Sequence, residues 1–171
     1  MVKPVIFQIV GYQNSGKTTF TTKLIQRLTA DGIKTAVIKH HGHGGKPDVP
    51  NEKDSSKYIE FGAEASIVEG NGRLILQGES EEFSLEKQIL LMDFFQPDVI
   101  LIEGHKSADY PKLVIIKEMA DTALLYKLNN IQAIVYWQED TVRYIQSDMN
   151  IPNFSVFDEE AVNFIVHLCT K

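Results

Sequence analysis

The stretch at residues 11–18, Gly-Tyr-Gln-Asn-Ser-Gly-Lys-Thr, decides the fold of this chain. It fits the pattern G-x-x-x-x-G-K-[ST], in which glycines let the backbone turn tightly and aim successive N–H groups at a phosphate. The almost continuously apolar run at residues 5–10 is typical of a strand buried on both faces. After the stretch, Phe20, Leu24 and Leu28 recur at the spacing of one helix face. The sequence therefore predicts a strand, a phosphate-binding loop and a helix in succession.

The remaining elements are read outward from this unit. Ser84 is a plausible N-cap for a helix that runs through Phe95, and Gly70-Asn71-Gly72 separates two short β-prone runs as a hairpin turn does. The predicted elements are a helix at 17–30, strands at 35–38, 98–102, 113–116 and 131–136, helices at 55–61 and 84–95, and a last helix from Asp158 or Glu159. We expect an α/β P-loop nucleotide-binding fold: a mostly parallel sheet flanked by helices, with a projecting β-hairpin at 65–77, in a single domain over residues 1–171.

Composition limits the classes of function. Of 171 residues, 43% are hydrophobic and 23% are charged, which is ordinary for a soluble globular protein. The net charge of −6 argues against nucleic acid as a partner, because domains that track phosphate backbones are usually basic. No apolar run approaches a membrane span, no signal peptide is apparent, and the single cysteine, Cys169, suits a reducing cytoplasm. We expect Cys169 to be a buried residue of the last helix, with a reactive or metal-binding thiol as the alternative.

The loop predicts how a nucleoside triphosphate and Mg²⁺ would be held. Backbone N–H groups from Gly11 through Asn14, Ser15 and Gly16 would cradle the phosphates, and the helix dipole adds partial positive charge. Lys17 would contact the β- and γ-phosphates, Thr18 would give its hydroxyl to Mg²⁺, and Thr19 would support the α-phosphate.

Such a site also needs a carboxylate at the end of a neighbouring strand. Glu103 follows an apolar run and so lies at the carboxyl edge of the sheet, where we expect it to contact Mg²⁺ or water. Gly104 would allow the backbone to approach the γ-phosphate. Asp54, after a glycine- and proline-rich loop, is a second candidate for Mg²⁺ and could order the loop, or it could simply cap a helix. Asp48 is a weaker candidate in the same loop.

Three histidines, His40, His41 and His43, follow the second strand. They could form one wall of a metal site, but no cysteine is nearby and the helical H-x-x-x-H spacing is absent. Contact with a ligand or partner, together with Lys39, is an alternative, and a plain solvated loop is another. His105 could contact the same pocket.

Several segments together resemble the MobB family of molybdopterin guanine dinucleotide biosynthesis proteins. The resemblance covers about residues 4–118 and is carried by the phosphate loop and by Val37-Ile38-Lys39-His40-His41, Lys53-Asp54-Ser55, Gly62-Ala63, Leu101-Ile102-Glu103-Gly104-His105-Lys106 and Pro111-Lys112-Leu113. The Lys-His pair and the Glu-Gly-x-Lys segment are more specific than the phosphate loop. An aromatic or apolar residue is usual in the family where His105 stands.

The resemblance implies a homodimeric protein that binds GTP with Mg²⁺, hydrolyses it slowly and assists the guanylyltransferase MobA in attaching GMP to molybdopterin. It implies that Gly11, Gly16, Lys17 and Thr18 carry phosphate and metal and that Asp54 and Glu103 lie near the nucleotide. It also implies basic positions at Lys106 and Lys112 that could contact the pterin phosphate or the partner.

Guanine specificity is weakly marked in the sequence. There is no Asn-Lys-x-Asp motif, but Asp140 follows the strand at 131–136 and could accept hydrogen bonds from guanine N1 and N2, or lie in an exposed turn. Two other functions stay open: a kinase for a small metabolite, and a metal-delivery GTPase that uses the three histidines. The kinase would need a lid with arginines, and residues 40–57 contain none.

Overall fold

A computed structural model describes residues 3–42, 45–47 and 54–171 of the chain. The elements are β1 (Val5–Gly11), α1 (Lys17–Ala30), β2 (Thr35–Lys39), α2 (Asp54–Glu60), β3 (Ala65–Gly70), β4 (Arg73–Gly78), α3 (Leu85–Asp93), β5 (Val99–Glu103), β6 (Lys112–Ile116), a 3₁₀ helix (Met119–Leu124), β7 (Ile131–Tyr136), α4 (Glu139–Asp148), β8 (Asn153–Ser155) and α5 (Glu160–Cys169).

Six strands form one parallel sheet in the order β2-β5-β1-β6-β7-β8. The register pairs Glu103 at the end of β5 with Ile9 of β1 on one side and with Lys39 of β2 on the other. Since all strands run the same way, their carboxyl ends lie at one edge, where open α/β sheets bind ligands.

Both faces of the sheet are covered, which explains the continuously apolar strands. On one face, α1 and α5 bury Phe20, Leu24, Leu28 and Ile165 against alternate residues of the central strands. On the other face, α3 covers β2 and β5, and the 3₁₀ helix and α4 cover β6 and β7. The two layers hold the strand ends in fixed positions, so the site at the carboxyl edge has a rigid base.

The hairpin of β3 and β4 forms a separate two-stranded antiparallel sheet, as predicted. Both of its faces carry exposed apolar side chains, although α2 contacts both strands. An isolated hairpin of this kind is marginally stable in water, so its exposed residues call for a partner surface.

The structure differs from the sequence prediction at four places. The helix predicted to run through Phe95 ends at Asp93, because Gln96 has φ +49° and Pro97 follows directly. Its N-cap is Ser84 as predicted, with the hydroxyl accepting from the Lys87 N–H at 3.3 Å. Helix α4, strand β8 and the 3₁₀ helix were not predicted, since α4 has few apolar residues and the other two are short, so that each gives a weak signal.

Within the part of the chain that the structure describes, none of the helices combines the length and apolar character that a bilayer crossing requires.

Cys169 is buried in α5, and burial raises the pKa of its thiol to about 12 from 9.0. Below pH 9 this shift leaves roughly a thousandfold less thiolate than an ordinary cysteine has. We therefore predict that native protein at pH 8 reacts with a disulfide reagent at least about a hundredfold slower than protein in denaturant. Equal rates with and without denaturant would contradict the burial of Cys169.

Candidate functional site

The loop between β1 and α1 has little space for side chains at its two ends. A Cβ on Gly11 would lie 2.5 Å from the Ser15 hydroxyl and 2.9 Å from the backbone oxygen of Ile115. Gly16 has φ +95°, and a Cβ there would lie 3.1 Å from the Trp137 ring. Because Gly16 has no side chain to cap α1, the first amides of this helix remain free for an anion. The backbone therefore has the form that the motif predicts.

Lys17, the first residue of α1, folds back over the loop. Its ammonium donates to the backbone oxygen of Tyr12. Burial lowers the pKa of Lys17 from its usual value, Lys106 and Lys39 lower it further, and Glu103 opposes the shift. A lysine partly desolvated beside other cations gains from a neighbouring polyanion, so this group is well placed to bind phosphate.

Thr18, Glu103 and Lys39 meet in one cluster beside the loop. The Thr18 hydroxyl donates to Glu103 Oε1 at 2.9 Å. The Lys39 ammonium lies 3.2 Å from Thr18 Oγ1 and 3.4 Å from Glu103 Oε1. Glu103 is the last residue of β5 and is buried, so the sheet register fixes this carboxylate. The structure thus brings together the hydroxyl and the carboxylate that the sequence assigned to Mg²⁺.

The turn after Glu103 is held from beneath by Gln8 of β1. The Gln8 amide is fully buried and donates to the backbone oxygens of Gly104 at 2.7 Å and His105 at 2.6 Å. Gly104 has φ +95°, and a Cβ there would lie 3.1 Å from the Cβ of His40. Position 104 therefore requires glycine, both because of its positive φ and because His40 approaches so closely.

His40 and His105 pack against each other beside this turn, with ring centroids 4.6 Å apart and the ring planes tilted by 43°. Burial lowers the pKa of His105, the nearby His40 lowers it further, and Glu86 opposes the shift. The Nε2 atom of His105 is buried and has no hydrogen-bond partner among the described residues. The two rings form one wall of the cleft.

The loop, the cluster and the histidine wall enclose one open cleft of about 1020 Å³. Its lining residues are Gly11, Gln13, Asn14, Gly16, Lys17, Thr18, Thr19, Lys39, His40, His41, Gly42, Glu103, Gly104, His105, Lys106, Ser107 and Trp137. Lys106 lies over the ring of Tyr12, with its ammonium 4.2 Å from the ring centroid. Of the charged side chains in this lining, three are lysines and one is a carboxylate, so the cleft is locally cationic in an acidic protein.

Two residues that the sequence did not single out also hold the loop. The Trp137 indole N–H donates to the backbone oxygen of Ser15 at 2.9 Å, and the Lys117 ammonium donates to that of Asn14 at 3.2 Å. Phe157 packs edge-on against the Trp137 ring, with centroids 5.9 Å apart. Trp137 directly follows β7 and Lys117 directly follows β6. Their position at a strand end was the sequence signal that could have placed them near the cleft.

Other predicted residues lie outside the cleft lining. Ser15 is buried beneath the loop, and Asp140 is exposed in the first turn of α4. Lys112, expected to be a basic contact, is buried, and its ammonium donates to the backbone oxygen of Asn129 at 2.6 Å. That pairing is at the opposite end of β6 from the cleft, so the structure corrects the expectation for Lys112.

Part of the loop after β2 falls outside the described residues. His43 and Asp48 are among them, and Asp54 begins α2 although its side chain is not described. Within the described residues, no group of three His, Cys, Asp or Glu side chains is placed to hold a metal ion. The described part of the histidine cluster, His40 and His41, lines the cleft instead.

Comparison with known proteins identifies the family. Residues 6–137 match the family model described as "MobB: Molybdopterin guanine dinucleotide synthesis protein B". The chain is 39% identical to a probable molybdopterin-guanine dinucleotide biosynthesis adapter protein of Bacillus subtilis, over 97% of this chain and 94% of that protein. It is 35% identical to the corresponding Escherichia coli adapter protein over 67% of each chain.

A solved structure supports the same assignment. The crystal structure of Bacillus subtilis MobB superposes with a TM-score of 0.83 at 36% sequence identity, covering 97% of this chain and 98% of that one. The parallel sheet, the phosphate-type loop and the projecting hairpin are thus set in a fold that its relatives share. On this combined similarity of sequence and structure, the chain belongs to the MobB family of molybdopterin guanine dinucleotide biosynthesis adapter proteins.

Proposed function

We propose that this protein is a cytoplasmic accessory protein that binds GTP with Mg²⁺, hydrolyses it weakly and assists a MobA-like guanylyltransferase in molybdopterin guanine dinucleotide synthesis. The observation that carries the proposal is the meeting of Lys17 with the Thr18–Glu103 pair at the N-terminus of α1. The adapter role of its curated relatives supports the pathway.

The residues present fit a magnesium-bound triphosphate. The amides at the start of α1 and the ammonium of Lys17 would hold the phosphates. The Thr18 hydroxyl donates a hydrogen bond to Glu103 Oε1, so the lone pairs of Thr18 Oγ1 could serve a cation. Magnesium, when bound, would offset the charge of the triphosphate, which reconciles polyphosphate binding with a net charge of −6.

Slow hydrolysis follows from what the cleft offers. Lys17 and the loop amides can stabilise charge on the phosphates, but the described lining of the cleft contains no arginine. Arginine fingers accelerate such reactions by about 10³–10⁵. The same lack disfavours the kinase alternative, which needs arginines over the transferred group. The metal-delivery alternative depends on His43, which lies outside the described residues; among the described side chains no group of three is placed to hold a metal ion.

We predict that replacing Lys17 with alanine weakens GTP binding in the presence of Mg²⁺ by at least about tenfold, because charge-assisted hydrogen bonds to phosphate are lost. Calorimetry with GTP, ATP and XTP, with and without a MobA-like guanylyltransferase and molybdopterin, measures the affinity. Lys23→Ala is the matched control, since Lys23 is exposed further along the same helix. Wild-type affinity in Lys17→Ala would remove the phosphate assignment.

We further propose that Asp140 recognises the guanine base. It lies three residues after Trp137, which lines the cleft. A carboxylate offers two acceptor oxygens, one to N1–H and one to the N2 amino group of guanine, whereas an amide offers one acceptor oxygen and an NH₂ donor. Asp140→Asn should therefore lower GTP affinity by about tenfold or more and raise the relative affinity for XTP.

Fluorescence of Trp137, the single tryptophan, reports this binding directly. The control is Glu139→Gln in the same turn of α4. Equal losses in both variants, or an unchanged ratio of GTP to XTP affinity in Asp140→Asn, would count against guanine reading by Asp140.

The proposed homodimer would use the hairpin of β3 and β4. Ile67 is 63% exposed, and Leu76 lies directly opposite it in the hairpin register. We predict that wild-type protein sediments as a dimer and that Ile67→Lys sediments as a monomer, because burying an unpaired ammonium costs several kcal/mol. Leu90→Lys, on the exposed face of α3, should leave the dimer intact. A dimer that persists in Ile67→Lys would contradict this interface.

A further inference from the structure

Lys39 contacts Thr18 and Glu103, and the binding of a phosphate group alone would not require this contact. Its ammonium lies 3.2 Å from Thr18 Oγ1 and 3.4 Å from Glu103 Oε1. Those are the two oxygens that the proposed function gives to Mg²⁺, directly or through water. The Thr18 hydroxyl donates to Glu103 Oε1 and accepts from Lys39, so Lys39 occupies one of the two lone pairs that Thr18 Oγ1 could offer to a cation.

The burial of Glu103 explains why a cation belongs there. Its side chain is 7% exposed, and a buried carboxylate without a nearby positive charge is strongly disfavoured. Lys17 also interacts electrostatically with Glu103, but its ammonium donates to the backbone oxygen of Tyr12, and Lys106 lies over the Tyr12 ring. Lys39 is thus the described cleft lysine that pairs with this carboxylate.

The position of Lys39 allows its ammonium to move away from Glu103 as well as to pair with it. It ends β2 directly opposite Glu103 in the parallel register, so its backbone is fixed by the sheet. Its side chain is nevertheless 58% exposed, so the long stem can swing away from Glu103 into solvent or along the cleft. A tethered, mobile cation of this kind can be exchanged for a free one.

We propose that Lys39 is a built-in substitute for the divalent cation: its ammonium neutralises Glu103 in the nucleotide-free protein and is displaced when a magnesium-bound nucleotide enters. This inference rests on the proposed function for the identity of the ligand. Lys39 and the metal compete for the same two oxygens, so the protein binds bare Mg²⁺ poorly and takes the metal together with the nucleotide. After displacement the ammonium remains beside the triphosphate, where its charge is still compensated.

Binding of Mn²⁺ to nucleotide-free protein, measured by electron paramagnetic resonance of the free ion, tests this competition. Lys39→Met keeps the length of the side chain but removes its charge, and it should bind Mn²⁺ at least about fivefold more tightly than wild type. Lys39→Arg should bind as weakly as wild type. Lys106→Met is the matched control, because it removes one cleft charge that does not touch Glu103. Adding Glu103→Gln to Lys39→Met should abolish the gain.

Several results would overturn the proposal. One is that folded Lys39→Met binds Mn²⁺ no more tightly than wild type or Lys106→Met. Another is that Lys39→Met does not bind Mn²⁺ at all. The third is that the gain in Mn²⁺ affinity persists when Glu103→Gln is added. Circular dichroism establishes that each variant is folded. Failure of wild-type protein to bind GTP with Mg²⁺ would refute the proposed function separately, since the Mn²⁺ measurement uses no nucleotide.

Discussion

The parallel register of β2, β5 and β1 is the constraint on which the rest of the structure depends. It sets Lys39 level with Glu103 and Glu103 level with Ile9, just before β1 turns into the glycine loop. Helices on both faces bury these strands and prevent them from sliding, because a shift of register would expose apolar side chains. Two charged strand ends, Lys39 and Glu103, therefore meet beside the glycine loop at one edge of the sheet.

Within that frame, buried polar side chains aim the backbone toward the cleft. Gln8 occupies an apolar strand at full burial, which is unusual for an amide unless its hydrogen bonds are needed. Its donors hold the turn of Gly104 and His105, while Trp137 and Lys117 hold the glycine loop from the other side. The cleft is thus organised before any ligand arrives, which reduces the ordering cost of binding.

Much of this could be predicted from the sequence, because the decisive signals are local. The motif at 11–18 and the apolar strands predict the fold, and the strand-end rule finds Glu103. Gln8, Trp137 and Lys117 could not be assigned in this way, since their partners lie about a hundred residues away in the chain and depend on strand order. The expectation for Lys112 had another source, the family resemblance, and it was wrong because the Lys112 ammonium is buried and donates to the backbone oxygen of Asn129.

The central claim is that the amides of the glycine loop and the turn after Glu103 together grip a magnesium-bound nucleoside triphosphate. Amide hydrogen exchange with and without Mg²⁺ and GTP tests it most directly. The account predicts slower exchange at residues 13–18 and 104–106 when the nucleotide is present. Unchanged exchange at both segments under saturating nucleotide, or protection confined to other parts of the chain, would contradict it.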